Sequence, residues 1–363
     1  MPLYDMSLNF WENYARGPRI LTSEEKAGLL GLEERIRRLE RDSGVGAGTT
    51  LFGRKVRNPV GIASGPAPNQ RWLAFFAELG YGILTYKTMR DRAWKGHGMP
   101  NLLSVRGDFR RGFVATGNVT GSITNSLGMP TPDPAVWERE ARNIARTKKD
   151  RFFVMSVTAT SGGGGEEDML AQFSTLALAG KKAGADAVEL NLSCPNVLPG
   201  EGGETFTNPK LSGRVVDAAR KGVGSGFPVL VKVGFLKDYR PFVEETYDPR
   251  VGYVAINSVP GVVRDASGME LFSDRGGTAG ICGAAIRARA RSAVAGLAKL
   301  RNGGREFELI GLGGVLGAWD ALALKDRGAD AVETATGALL DPCLGLRISL
   351  GLLKARAGEQ RKK

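Results

Sequence analysis

With 363 residues, 42% hydrophobic and 24% charged, the chain has the length of one large α/β barrel or two ordinary domains and the balance of a globular protein. It lacks both the run of ~20 apolar residues that spans a membrane and, at Met1-Pro2-Leu3-Tyr4-Asp5, the basic-then-apolar order of a secretory signal. Three cysteines without a CxxC pair, Cys194, Cys282 and Cys343, argue for a reducing compartment and against a disulfide framework or zinc site, while a net charge of +12 suits RNA, an anionic membrane surface, acidic small molecules or plain solubility.

Residues 1–48 read as an N-terminal helical extension. Thr22 and Glu25 form a capping box, and Leu29, Leu32, Ile36 and Leu39 recur at helical spacing. Glu33 with Arg37 and Glu34 with Arg38 are spaced as i,i+4 ion pairs on the polar side. Such a helix packs across a larger body, makes a dimer contact, or lies on a membrane surface. Residues 42–48, rich in glycine, read as a flexible joint.

From there short apolar strands alternate with amphipathic helices. The spacing predicts strands at 59–64, 82–87, 152–158, 187–192, 228–233, 253–257, 308–312 and 331–335. It predicts helices at 69–80, 134–149, 167–183, 209–222, 239–247, 284–301, 317–327 and 343–356. Continuously apolar strands separated by helices indicate a parallel sheet covered on its faces, and eight such units close a (β/α)8 TIM barrel over residues 49–345. Long insertions follow strand two (90–130) and strand six (259–283), where lids are built. Residues 346–363 complete the last helix and a basic tail, and from Lys354 onward a frayed, solvated end is expected.

In a barrel of this kind chemistry comes from residues at the C-terminal strand ends. Strand one ends in Ala63-Ser64-Gly65 and strand two in Lys87-Thr88, with Asn125 following in the first insertion. Strand four leads into Asn191-Leu192-Ser193-Cys194-Pro195-Asn196, strand five carries Lys232, and strand six ends in Asn257-Ser258. Strands seven and eight end in Gly313-Gly314 and Ala335-Thr336, where many barrels bind a phosphate through backbone N–H groups. The set holds cations, amides and a thiol, with neither carboxylate nor histidine. His97, in a glycine-flanked loop, reads as a solvated residue, and no ligand set for a metal stands out. A phosphate-bearing cofactor, a buried cation, a thiol and several amides fit flavin chemistry better than hydrolysis.

Several ordered motifs carry a family resemblance. Asn191-Leu192-Ser193-Cys194-Pro195-Asn196, Thr85-Tyr86-Lys87-Thr88 and Asn125-Ser126-Leu127-Gly128-Met129-Pro130 resemble the dihydroorotate dehydrogenases. So do Val231-Lys232-Val233, Ala255-Ile256-Asn257-Ser258, Ala279-Gly280-Ile281-Cys282-Gly283 and Ile310-Gly311-Leu312-Gly313-Gly314, across about residues 50–345. The resemblance implies an FMN with its phosphate near Gly313, Gly314, Ala335 and Thr336, and with Ala63, Ser64, Lys87, Thr88, Asn191, Ile256 and Gly283 lining the rest. It implies a dihydroorotate site formed by Lys87, Asn125, Gly128, Met129, Asn191, Asn196, Asn257 and Ser258. Cys194 would take the C5 proton while a hydride leaves C6 for flavin N5, and Lys232 would stabilise the reduced flavin.

A cysteine base resembles the soluble, class 1 branch, whereas the membrane-associated quinone-using branch has serine there. Residues 279–286 are closer to the dimeric fumarate-using type than to the NAD-linked type with its electron-transfer subunit. The expectation is therefore a cytoplasmic homodimer, with the N-terminal helix leaving contact with the inner membrane face and a quinone acceptor open. The loop 96–101 follows the family loosely, and Glu333 stands where an amide is more typical. Rival readings are a dihydropyrimidine dehydrogenase-like enzyme, opposed by Asn196 where that relative tends to have His, and a tRNA dihydrouridine synthase-like enzyme. Trp94, Phe109 and Phe113 among arginines would suit the latter's RNA. A non-enzymatic basic binding protein is the remaining alternative.

Overall fold

The computed structural model describes residues 2–160, 164–193, 205–301 and 304–360. Eight parallel strands close a barrel in strict chain order. They are Val60–Ile62, Ile83–Met89, Phe152–Val157, Ala187–Asn191, Val229–Val233, Val251–Ala255, Leu309–Leu312 and Ala331–Thr334. Every residue of these strands is buried, because the inner face packs on itself and the outer face on the helices. The helices begin where the chain supplies caps. The Asn69, Asp133 and Asn208 side chains each accept a first-turn N–H, and Pro134 and Pro209 follow the last two, where a missing N–H costs nothing.

Alternation along each strand assigns the inner face. Ile83, Val154, Ala187, Leu230, Val254, Ile310, Leu312 and Ala331 form one apolar cluster inside the cylinder, joined by Leu51 and Val56. Those last two come from a hairpin, Thr49–Leu51 with Arg54–Val56, that closes the lower end. The larger cluster, outside the strands, is where the helices pack.

The N-terminal extension divides into two parts. A capped helix, Phe10–Arg16, is built into the barrel wall, with Leu3, Tyr4 and Phe10 buried in the main core. Trp72 is fully buried against it, its indole N–H donating to the Asn13 carbonyl at 3.1 Å, and Asn69 Nδ2 donates to the Tyr14 carbonyl at 2.9 Å. Trp72→Ala removes this anchor and leaves a cavity, so a loss of about 3–5 kcal/mol is expected in denaturant unfolding. A loss below ~1 kcal/mol would mean the extension is not held by this side chain.

The second part, Ser23–Ser43, has no fully buried residue and lies along the last helix, Leu344–Gln360. Its ion pairs differ from those expected: Glu34 meets Arg37 and Arg41, and Arg38 meets Asp42. Side-chain reach along the helix, rather than i,i+4 spacing alone, selects the partners. The joint at 42–48 is packed rather than loose. Val45 is buried on Leu353 and Ala357, and Arg356 donates to the Gly46 and Gly48 carbonyls. The same contacts correct the expectation of fraying from Lys354, since the helix continues to Gln360.

The two insertions are strands rather than loops. Ser104–Asp108, Gly112–Thr116 and Ser122–Asn125 from the first combine with Val259–Gly261, Val263–Arg264 and Ala279–Gly283 from the second. Together they make one six-stranded sheet, in which Ala279–Gly283 pairs with both Val259–Gly261 and Ser122–Asn125. Arg275 ties the insertions again, donating to the Pro100 carbonyl at 2.9 Å and to Ser126 Oγ at 3.1 Å.

Candidate active site

The upper, C-terminal ends of the strands carry a connected polar floor. Lys232 Nζ, 3% exposed at the end of strand five, donates to Ser64 Oγ at 3.0 Å. Thr88 Oγ1 bridges Ser64 Oγ at 3.2 Å and Ser156 Oγ at 2.9 Å. Asn191 Nδ2 donates to Thr88 Oγ1 at 3.1 Å, and Asn191 Oδ1 accepts from Asn257 Nδ2 and the Ser193 N–H, both at 3.2 Å. Asn257 Oδ1 in turn accepts the Ser258 N–H at 3.0 Å. Ser64, Thr88, Asn191, Lys232, Asn257 and Ser258 thus stand together although the chain separates them widely.

Lys87, also buried, reaches the Thr88 carbonyl at 3.4 Å and Met129 Sδ at 3.9 Å, which brings the first insertion to the floor. Gly128 (φ +69°) makes this approach possible, because a Cβ there would sit 2.6 Å from the His97 ring. Asn125 ends a lid strand opposite Gly280, and a Cβ on Gly280 would lie 2.5 Å from Ser258 Oγ. Gly280 therefore lets the lid settle beside strand six. His97 is exposed in its loop, as its flanking glycines suggested, although partial desolvation of the ring and then the Arg275 charge lower its pKa from the ordinary value.

On the opposite side of the floor, Gly313 and Gly314 take φ of +119° and +74°, and a Cβ on Gly314 would stand 2.7 Å from Arg287 Cα. Ile256 donates its N–H to the Leu312 carbonyl at 2.6 Å and lies against Gly313. Gly283 (φ +80°) is pressed on the Gly121 carbonyl. Ala63 joins strand eight through its N–H to the Thr334 carbonyl at 3.1 Å, and Ala335 packs on the inner cluster beside it. Thr336 Oγ1 is buried with no hydrogen-bond partner among the described residues. Cys194 and Asn196 lie outside the described residues.

Beside Ser258 opens a cavity of about 340 Å³ walled by Phe206, Phe235 and Pro260, with Lys237 and Arg289 also lining it. The Arg289 guanidinium lies 3.6 Å over the Phe109 ring, and Phe113 is buried. Two of the aromatics that would have stacked RNA bases are therefore already engaged.

Reading strand ends alone missed the floor's foundation. One step below Asn191 on the inner face lies Glu189, and one step below Ala335 lies Glu333. Glu189 Oε1 accepts from Ser156 Oγ at 2.5 Å and stands 3.6 Å from Lys232 Nζ, while Glu333 Oε1 accepts from Thr85 Oγ1 at 2.7 Å. Period-two alternation was the available signal: Ala187, Glu189 and Asn191 must share a face. Burial first, then the Glu189 charge, pushes Glu333 up to about 8. Burial likewise pushes the Cys282 thiol up to about 12, against a smaller opposing effect of Lys232.

Comparison with known proteins agrees with this geometry. The family model described as dihydroorotate dehydrogenase matches residues 47–354. A dihydroorotate dehydrogenase of Dictyostelium discoideum is 27% identical, with 95% of this chain and 96% of that protein covered. The catalytic subunit of dihydroorotate dehydrogenase B (NAD(+)) from Methanocaldococcus jannaschii is 28% identical over 80% of this chain and 86% of its own length. The dihydroorotate dehydrogenase (quinone) of Bordetella avium is 24% identical over 82% and 83%. A closed parallel barrel, a polar floor at its strand ends and a family match over most of the length have one reading: the chain is an oxidoreductase and belongs to the dihydroorotate dehydrogenase family.

Proposed function

We propose that the chain oxidises dihydroorotate to orotate with a bound FMN, and that Cys194 is the base. The observation that carries this reading is the hydrogen-bonded floor from Lys232 through Ser64, Thr88 and Asn191 to Asn257, beneath a lid that brings Met129 to Lys87 on strand two. The residues fit the cofactor. Gly313 and Gly314 turn the backbone through positive φ after strand seven, and the buried Thr336 hydroxyl after strand eight has no partner among the described residues, features that a phosphate cradle uses. When bound, FMN supplies the acceptor for the two electrons that leave substrate C6.

The remaining roles belong to side chains. Asn125, Asn191, Asn196 and Asn257, with Ser258, offer the donors and acceptors that a pyrimidine ring presents along its edge. Lys87 matches the substrate carboxylate, with Gly128 and Met129 closing over it. Lys232 supports negative charge beside Ser64. Cys194 takes the C5 proton as thiolate, so turnover rises with pH toward the ordinary thiol pKa of about 8.5.

The acceptor is fumarate, NAD through a partner subunit, or a quinone; the relatives' names span all three. A cytoplasmic homodimer is the assembly we favour. Among the described residues no helix is long and apolar enough to cross a membrane. Purified protein should be yellow, and anaerobic dihydroorotate should bleach it. Colour that persists with dihydroorotate but fades with a free dihydropyrimidine would favour the other pyrimidine enzymes. Protein that stays colourless after FMN addition would defeat the proposal.

A further inference from the structure

Three ionisable side chains meet in the closed centre of the barrel, each at most 3% exposed: Glu189, Glu333 and Lys232. Strands four and eight are diametrically opposed in the closed order, so the two carboxylates project inward from opposite walls. Each has one oxygen satisfied by a hydroxyl, Ser156 for Glu189 and Thr85 for Glu333. The other oxygen of each is buried without a hydrogen-bond partner among the described residues. Glu189 has Lys232 within 3.6 Å as counter-ion, and no cation stands in ion-pair contact with Glu333 among the described residues. The register neighbours of Glu333 are Gly61 and Leu312, neither of which carries charge. Gly61 is required there, because a Cβ would stand 2.8 Å from Glu333 Cγ. Two bare carboxylates against one ammonium in such a space are costly.

We infer that Glu333 is a carboxylic acid in the working protein, a positioning residue that keeps Glu189 as the single counter-ion of Lys232. With Glu333 neutral, the pair of Glu189 and Lys232 is balanced and the ammonium stays directed at Ser64. Ionising Glu333 places a second negative charge beneath the floor and draws Lys232 down. Burial and the Glu189 charge push it up to about 8, against smaller opposing effects of the Lys232 charge and the Thr85 hydrogen bond. The other titratable groups near this centre are Lys87, above Thr85 on strand two, and Cys282, close enough to Lys232 to feel its charge. The protonation itself does not depend on the proposed function; its effect on a flavin does.

The test is infrared spectroscopy of the isolated protein carrying carboxyl-labelled glutamate. At neutral pH a carbonyl band of a protonated carboxylic acid, shifting in heavy water, is expected in the native protein and absent from Glu333→Gln. In thermal unfolding across about pH 5 to about pH 8, the folded state binds the proton that the unfolded state has released. Native stability therefore falls as pH rises through this window. The native unfolding constant, relative to that of Glu333→Gln, should grow about tenfold per pH unit. If the flavin binds, its midpoint potential should fall more steeply above about pH 8 in the native protein than in the variant. Absence of the acid band, or parallel pH–stability curves, would overturn the assignment whether or not the protein is yellow. A band present with identical potential curves would overturn the positioning role alone.

Discussion

Cys194→Ala is expected to turn over about 10²–10⁴-fold more slowly than the native protein while still binding FMN and orotate. The size follows from the removal of a single proton acceptor. Electron transfer cannot proceed while the C5 proton has nowhere to go, whereas the amides that hold the ring are untouched. Stopped-flow reduction under anaerobic conditions measures the step directly, with orotate binding as the control. Cys194→Ser separates the base from a space-filler, because a hydroxyl ionises at far higher pH and should move the rate profile to the alkaline side. A Cys194→Ala protein reduced at the native rate would show that another group takes the proton.

Lys232→Met is expected to cost about 3–5 kcal/mol of folding stability, in addition to any loss of flavin reduction. The ammonium stands 3.6 Å from Glu189 in a space almost closed to solvent, so its removal leaves that carboxylate with only the Ser156 hydroxyl for support. Adding Glu189→Gln should recover part of the loss, because the amide needs no counter-ion. Coupling of about 0.5–3 kcal/mol between the two sites is expected from a double-mutant cycle in denaturant unfolding. Strict additivity would mean that the pair is not interacting.

The barrel was legible because its strands are continuous apolar runs and its helices carry explicit caps such as Asp133-Pro134 and Asn208-Pro209. These local signals agree with the long-range pairing. The six-stranded lid was not legible. Gly112–Thr116 has exposed positions and finds its partners in the hairpin strand Ser104–Asp108 and, far along the chain, in Val263–Arg264, so no periodicity within the segment announces a strand. The helix at Phe10–Arg16 did leave a trace, the Asn9…Glu12 capping box, obscured by the aromatic run behind it. Of the candidate site, the proximity of Ser64, Thr88, Asn191, Lys232, Asn257 and Ser258 was legible because rigid strands put their ends on one face. Glu189 and Ser156 escaped notice, and Glu333 was noted only as a departure from an amide, because they lie one step inside those ends, where apolar residues are the rule.

The short hairpin from Thr49 to Val56 has a bearing on proton traffic. Leu51 and Val56 join the apolar cluster inside the cylinder, so the base offers the acidic pair an apolar plug rather than a polar path. The polar groups nearest the pair lie above it, at Ser64 and Thr88 beside the ammonium, so that side is where hydrogen ions are expected to arrive. Exchange at the buried acids is thereby subject to whatever occupies the mouth.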